Sequence, residues 1–437
     1  MRLPFRGGTA LWRGIHHRLP FYYGWVVVGC VACALVARHG ASVALLSVFV
    51  KPMGDTLGWS RAQISGAVSL GNIMGGLTAP LWGRWVDRAG ARVVLTISVL
   101  MVGVGAIALS GVSSLAGFYV AYGLARLAFA SPMEIGATTA IANWFVRRRA
   151  LAMALANLMG GLAQGALPII VQGIISWRDW RAGWLAVAAL ALGVGLLPNT
   201  LLMRRRPEDL GLLPDGAPRP APIGRSPPSS APPSVREDSF TLKGALHTPT
   251  LWVLSAFTSL VFLVQAGVSL HQAPHLLQRG IPPTLVAGMV SGFGFASSTS
   301  HLVWGVVGAR WPVRYALTST TACILAGFLV LLIARNTPQG FLGTILFGAG
   351  VGGLGTLVPV TWANYYGRAN LGTIRGVTLP VQVVSQAVGP LVIGGLYDLM
   401  GSYDVALLVA AALATMAGCL AFLARPPRLT RARPKGA

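Results

Sequence analysis

Acidic residues are scarce in this chain: 11 Asp and Glu stand against 34 Lys and Arg in 437 residues, and charged residues of both signs make up only 10%. A water-soluble domain carries about 25% charged residues, so water is not the main solvent here. Cysteine is scarce too, at four, and Cys30, Cys33, Cys323 and Cys419 all fall in apolar runs. That placement speaks against a disulfide framework or a zinc cluster and leaves them as small apolar filler. Also missing are a nucleophile with a neighbouring base and a soluble segment large enough for an output domain, so neither an enzyme nor a cofactor is expected.

What the chain has in quantity is apolar sequence, 54% of it, in runs of about 20 residues or more that are long enough to cross roughly 30 Å of hydrocarbon. Hydropathy places spans near 21–46, 60–82, 93–112, 115–145, 150–176 and 182–203, then 250–273, 284–308, 314–334, 338–366, 372–397 and 403–424. The expected fold is an all-α polytopic membrane protein of twelve helices.

The net charge of +23 would suit a nucleic-acid binder, so the placement of the basic residues decides. Taking the N-terminus as inside, 26 of the 34 fall in inside segments, among them Arg375, while six fall outside and two within spans. This is a positive-inside signal: it predicts both termini in the cytoplasm and no nucleic-acid partner. The expected protein is a multi-pass, lipid-embedded monomer of the cell (inner) membrane.

The two halves match at an offset of 222. Between 52 and 92, nine of 41 positions are identical, against roughly three expected by chance, including Trp82/Trp304, Gly83/Gly305, Arg88/Arg310 and Arg92/Arg314. The reading is two six-helix bundles, 1–203 and 249–437, the latter with a basic tail. They are joined by a proline-rich cytoplasmic linker, 204–248, whose nine prolines between Pro207 and Pro233 exclude helix and sheet and fit a disordered tether.

Gly83-Arg84-Trp85-Val86-Asp87-Arg88-Ala89-Gly90-Ala91-Arg92 joins the second and third spans. Here the chain resembles the major facilitator superfamily, with Gly83, Asp87, Arg88, Gly90 and Arg92 at that family's signature positions. The resemblance implies alternating access, with Asp87 pairing with arginines and a helix end of the other bundle to latch the inside gate. Arg147, in the basic run 147–149, is assigned to the same gate. The plain alternative is a charged turn with a helix cap. In the second copy Ala309 replaces the Asp, so a latch there lacks its anion.

A narrower resemblance, to the monocarboxylate and oxalate/formate branch, rests on Tyr22-Tyr23-Gly24-Trp25, Phe49-Val50-Lys51-Pro52, Gly58-Trp59-Ser60-Arg61-Ala62-Gln63, Trp144-Phe145 with the run 147–152, and Arg206-Pro207-Glu208-Asp209-Leu210-Gly211. That branch carries an Arg four residues before a Gly in the eighth span, which binds the carboxylate. Here His301 stands at that position before Gly305, opening proton coupling or another anion class.

Charges inside the membrane are functional hypotheses by default. Arg38, His39, Arg126, His271 and His301 face a single acid, Glu134, an excess that suits an anionic substrate. Tyr119, Tyr122 and Arg126 share a helix face, as a carboxylate pocket with aromatic walls needs. Arg126 and Glu134 lie about 80° apart on one continuous helix, which makes a direct pair awkward, although a purely helix-holding pair is the competing reading. His271 and His275, spaced i, i+4, read as outer-vestibule residues with no third metal ligand. The polar faces Asn157/Gln164 and Gln382/Ser385/Gln386 line a path or bridge helices. Gly350-Val351-Gly352-Gly353-Leu354-Gly355 matches the dinucleotide fingerprint only in letters and is read as helix packing.

The reading is a secondary transporter for a small organic anion, a monocarboxylate, coupled to protons or exchanging. Arg38, Tyr119, Tyr122, Arg126, Glu134, His271 and His301 are its candidate substrate residues. The alternative is a permease of the same fold for a neutral or amphipathic solute.

Overall fold

The computed structural model describes residues 20–216 and 239–427; the N-terminal basic residues, most of the proline-rich linker and the basic tail lie outside them. Among the described residues the chain is helical throughout, without strands. Among the same residues, nine helices are long and apolar enough to cross a membrane. Three more complete the twelve expected. Arg61–Ala89 and Pro283–Arg310 are the less apolar second and eighth spans, and the fourth is divided into Leu115–Ala130 and Pro132–Trp144.

Two breaks matter for function. The first span, Gly24–Leu57, runs well past the expected 46 and is interrupted by a 3-10 turn at His39–Ala41. Ser42 then takes extended backbone, and its Oγ caps the second half-helix by accepting from Leu45 N at 3.1 Å. The fourth span, expected as one helix, breaks at Ser131 (φ −139°, ψ −68°) because the residue before a proline disfavours the α region and Pro132 suits the first position of a new helix. The remaining spans are Ala91–Ser110, Arg149–Trp177, Trp180–Leu201, Pro249–Gln278, Val313–Ile333, Thr337–Tyr366, Leu371–Met400 and Tyr403–Leu423.

The two halves meet along the second and eleventh spans and along the fifth and eighth. At the end carrying the linker they touch backbone to backbone. A Cβ on Gly83 would lie 2.2 Å from the Gly372 carbonyl oxygen, and one on Gly376 would lie 2.7 Å from the Ala79 oxygen. Across the pseudo-symmetric seam, a Cβ on Gly305 would lie 2.5 Å from that of Ala154. Further along, a Cβ on Gly76 would only just reach Val383 at 4.0 Å, and Gly165 and Gly173 would meet nothing within 4 Å. The halves are therefore shut at the linker end and part towards the far end.

Because a backbone oxygen cannot step aside, Gly83→Ala should weaken this closed form by about 1–3 kcal/mol. Gly76→Ala has room and should not. Denaturation midpoints in detergent check the contrast, and equal midpoints would refute the reading of the seam.

Candidate functional site

At mid-depth of the first half the breaks and the arginines meet. The 3-10 turn frees the Ala41 carbonyl from helix pairing, and this oxygen accepts from Arg126 Nη1 at 3.0 Å and from the Tyr122 hydroxyl at 3.2 Å. The break at Ser131 likewise leaves the Phe129 carbonyl available, and it accepts from Arg38 Nε at 3.0 Å. Arg38 Nη1 also donates to Glu134 at 2.9 Å, so the acid pairs across spans rather than with Arg126 on its own span. Glu134 stands in the first turn of the new half-helix, where the positive end of the helix dipole favours a carboxylate.

Arg126 is 8% exposed and donates from Nε to Asn72 Oδ1 at 3.0 Å. Among the described residues no acid stands within ion-pair range of it. Gly71 makes room for it, since a Cβ there would lie 2.5 Å from the Arg126 Cβ. Both guanidiniums lie over the Phe129 ring, Arg38 at 4.3 Å and Arg126 at 4.1 Å from its centroid, with the His39 ring edge-on at 6.1 Å. Phe129 escaped the sequence reading, although its position three residues after Arg126 puts it on the same face. Two like charges against one ring repel, and Glu134 pairs with only one of them. Tyr119 points to the second span, where its hydroxyl packs on Gly66.

On the facing half, Arg375 requires a correction. The sequence reading placed it among the inside loop charges. It lies instead in the second turn of the eleventh span, 1% exposed and 5.7 Å from the Trp362 ring. Its Nε and Nη2 have no hydrogen-bond partner among the described residues. On the same helix face, two turns on, Gln382 Oε1 is also buried without a partner. His301 stands in the eighth span with Nδ1 2.9 Å from Thr356 Oγ1, packed on Gly355, whose carbonyl accepts from Asn157 of the first half at 2.9 Å. His301 is thus at the seam between halves.

His271 is not an open-vestibule residue. It bonds the Tyr403 hydroxyl and the Pro390 carbonyl, each at 3.2 Å, while the buried His275 bonds the Leu331 carbonyl at 2.9 Å. The space they line is about 10 Å³, room for one water at most. They tie the seventh span to the ninth, eleventh and twelfth within the second half, away from the first-half arginines. No group of three or more metal-ligating side chains occurs among the described residues. A larger groove of about 510 Å³, between the ninth and twelfth spans near Thr318 and Phe422, carries no charged residue.

At the linker end, Asp87 accepts from Gly372 N at 2.9 Å and from both Thr373 N and Thr373 Oγ1 at 2.6 Å, capping the start of the eleventh span in the other half. The partners are a helix end and a hydroxyl; the expected arginine contact comes instead through the backbone, where Arg205 donates to the Asp87 carbonyl at 2.9 Å. Gly90 adopts φ 91°, a backbone suited to glycine, with the Arg205 stem against it. Arg92 donates to the Thr200 carbonyl within its own half, and Arg88 is exposed. Arg147 contributes its backbone N–H; the cation crossing the seam is Arg149, which donates to Asn364 Oδ1 at 3.1 Å. Arg368 crosses in the opposite sense, to the Asn143 carbonyl at 2.9 Å.

A family model described as the Major Facilitator Superfamily matches residues 30–379. Monocarboxylate transporter 12 of Rattus norvegicus is 23% identical over 411 residues, 89% of this chain and 82% of that relative. Among solved structures, the human organic anion transporter MFSD10 matches with a TM-score of 0.71 at 17% identity over 92% of this chain and 100% of that one. FucP in the outward conformation matches with a TM-score of 0.71 at 11% identity, covering 92% and 99%. At these identities the structural likeness shows the fold.

The Arg38–Glu134 pair, each side chain about one-fifth exposed, yields a double-mutant test. Arg38→Gln and Glu134→Gln should each lower stability by about 1–3 kcal/mol by leaving a partly buried charge unpaired. The double variant should recover most of the loss, and strictly additive losses in thermal unfolding would deny the coupling.

Proposed function

This chain belongs to the major facilitator superfamily and is a transporter rather than an enzyme. From that premise we propose that it carries a small organic anion, a monocarboxylate, by alternating access with proton coupling, and that the form described here has its linker end shut. The observation that carries this reading is Arg126: a guanidinium more than nine-tenths buried with no carboxylate partner among the described residues, beside a second arginine that is paired with Glu134. A buried cation without a counter-ion is costly, and a substrate carboxylate relieves that cost at the place where the far end gives access.

The coupling follows from the same geometry. Substrate and Glu134 compete for Arg38. A proton on Glu134 breaks the 2.9 Å pair and frees Arg38 Nη1 for the substrate, so proton and anion bind with positive cooperativity. Phe129 holds the two guanidiniums over one apolar ring and gives the organic part of the substrate a surface. His301 and Arg375 form the second-half wall, met as the halves rock. Arg375, whose Nε and Nη2 have no hydrogen-bond partner among the described residues, attracts the anion towards the linker end. By the charge bias of its loops, that end is the cytoplasmic one.

Uptake of radiolabelled lactate, pyruvate and acetate into proteoliposomes tests this. Uptake should rise as the outer medium is made more acidic than the lumen, because the proton opens Arg38. Arg126→Gln should cut it at least tenfold, while Glu134→Gln should keep binding and abolish the response to the pH gradient. Flux that is indifferent to solute charge and to Arg126→Gln would favour a neutral-solute permease.

A further inference from the structure

The linker has described residues at both ends, and each end is sewn to an equivalent loop. After the sixth span, 203–216 crosses the linker end of the first half. The Arg204 carbonyl accepts from Trp144 Nε1 at 3.2 Å, and the Leu213 carbonyl lies 3.1 Å from the Tyr22 hydroxyl. The Asp215 carboxylate then accepts from three successive backbone N–H groups, Val146 at 3.0 Å, Arg147 at 2.8 Å and Arg148 at 3.3 Å. At the other end, Phe240 N donates to the Tyr366 carbonyl at 3.0 Å, Ala369 N donates to Ser239 Oγ at 3.3 Å, and Asn370 Nδ2 donates to the Phe240 carbonyl at 2.8 Å. Loops 144–148 and 366–370 are mates at the 222-residue offset, so the two anchors repeat the internal symmetry.

Two further facts give this seam a purpose. Asp215 has φ 57°, the one non-glycine residue in the left-handed region among the described residues; such a conformation costs of order 1–3 kcal/mol and persists only where its surroundings fix it. Between the anchors, Glu208 on the strap pairs with Arg368 of the second half, the same guanidinium that donates to the Asn143 carbonyl of the first. Arg368 is thereby held to the first half from two sides, and the linker end cannot open without releasing both.

We propose that 203–216 is a gate strap: Asp215 fastens it to the amides before the fifth span, Glu208 clamps Arg368, and together they hold the linker end shut. It serves the seam whose own motif copy has Ala309 where Asp87 stands in the first. Asp87 latches the second span to the start of the eleventh, whereas the fifth and eighth spans have no such acid, and the strap supplies one from outside the motif.

The test needs no substrate, so it stands or falls apart from the anion reading. In a variant lacking the four native cysteines, Ala79→Cys places a thiol at a position that is 0% exposed behind Gly376 while the end is shut. Its maleimide labelling rate in detergent reports opening. Asp215→Ala and Glu208→Gln should each speed labelling about fivefold to thirtyfold. Asp215→Asn, which keeps an acceptor oxygen without the charge, should fall between. Glu208→Arg and Arg368→Glu should each speed labelling, and the charge-swapped pair should be slower than either, which a general loss of fold would not produce. Labelling at the parent rate in Asp215→Ala, or a swapped pair as fast as its single variants, would overturn the strap.

Discussion

In hydrocarbon no water is available to satisfy a backbone carbonyl, so a helix can break at membrane depth only where some other group supplies the missing donor. In this chain the breaks at His39–Ala41 and at Ser131 free the carbonyls of Ala41 and Phe129, and the donors are the guanidiniums of Arg126 and Arg38 together with the Tyr122 hydroxyl. The dependence runs both ways. The arginines keep the breaks from costing several kcal/mol each, and the breaks fix the arginines at mid-depth. The break at Ser131 also starts a new helix whose first turn holds Glu134. One proline, Pro132, therefore sets the position of the acid and of one cation.

That arrangement explains which features were legible in the sequence. Span number, the duplicated halves and the Gly83–Asp87 motif follow from apolar run length and from identities at a fixed offset, which local composition carries. The cations and Glu134 were also visible, since charges within apolar runs are conspicuous. Their pairing was not. On an unbroken helix Arg126 and Glu134 point about 80° apart and the question is whether they meet; the kink removes Glu134 from that helix frame and delivers it to Arg38, 96 positions away. Arg375 was hidden for the opposite reason. A basic residue at the edge of a span reads as loop charge under the positive-inside rule, and only the packing of the second span on the eleventh shows that it is enclosed. His271 was misplaced because i, i+4 spacing fixes its face on the helix without saying whether neighbouring helices cover that face.

Glycine settles how the seam closes. Gly83, Gly372 and Gly376 let the second and eleventh spans approach so closely that backbone oxygens of one occupy the space of a Cβ on the other. This brings the Asp87 carboxylate within reach of the two N–H groups and hydroxyl at the start of the eleventh span, where the helix dipole adds to the hydrogen bonds. The same approach on the fifth and eighth spans, through Gly305 and Gly308, has no acid in its loop.

A gate that a small solute must open cannot be strong. Moving a two-state equilibrium from 1:99 to 99:1 takes about 5.5 kcal/mol of differential binding. Charge-assisted hydrogen bonds contribute roughly 1.5–3 kcal/mol each, so the three on Asp87 alone reach or pass that limit, and the Arg149–Asn364 and Arg368–Asn143 contacts add to it. An opposing term is required, and Arg375 supplies one: a cation enclosed by the shut seam with two donors unused is least favourable in this form and gains most when the seam opens. The shut end is thus a balance between carboxylates that cap helix ends and a guanidinium denied its water. On the proposed reading, separating the closing groups from Arg38 and Arg126 lets a substrate bound there tip that balance without touching the gate.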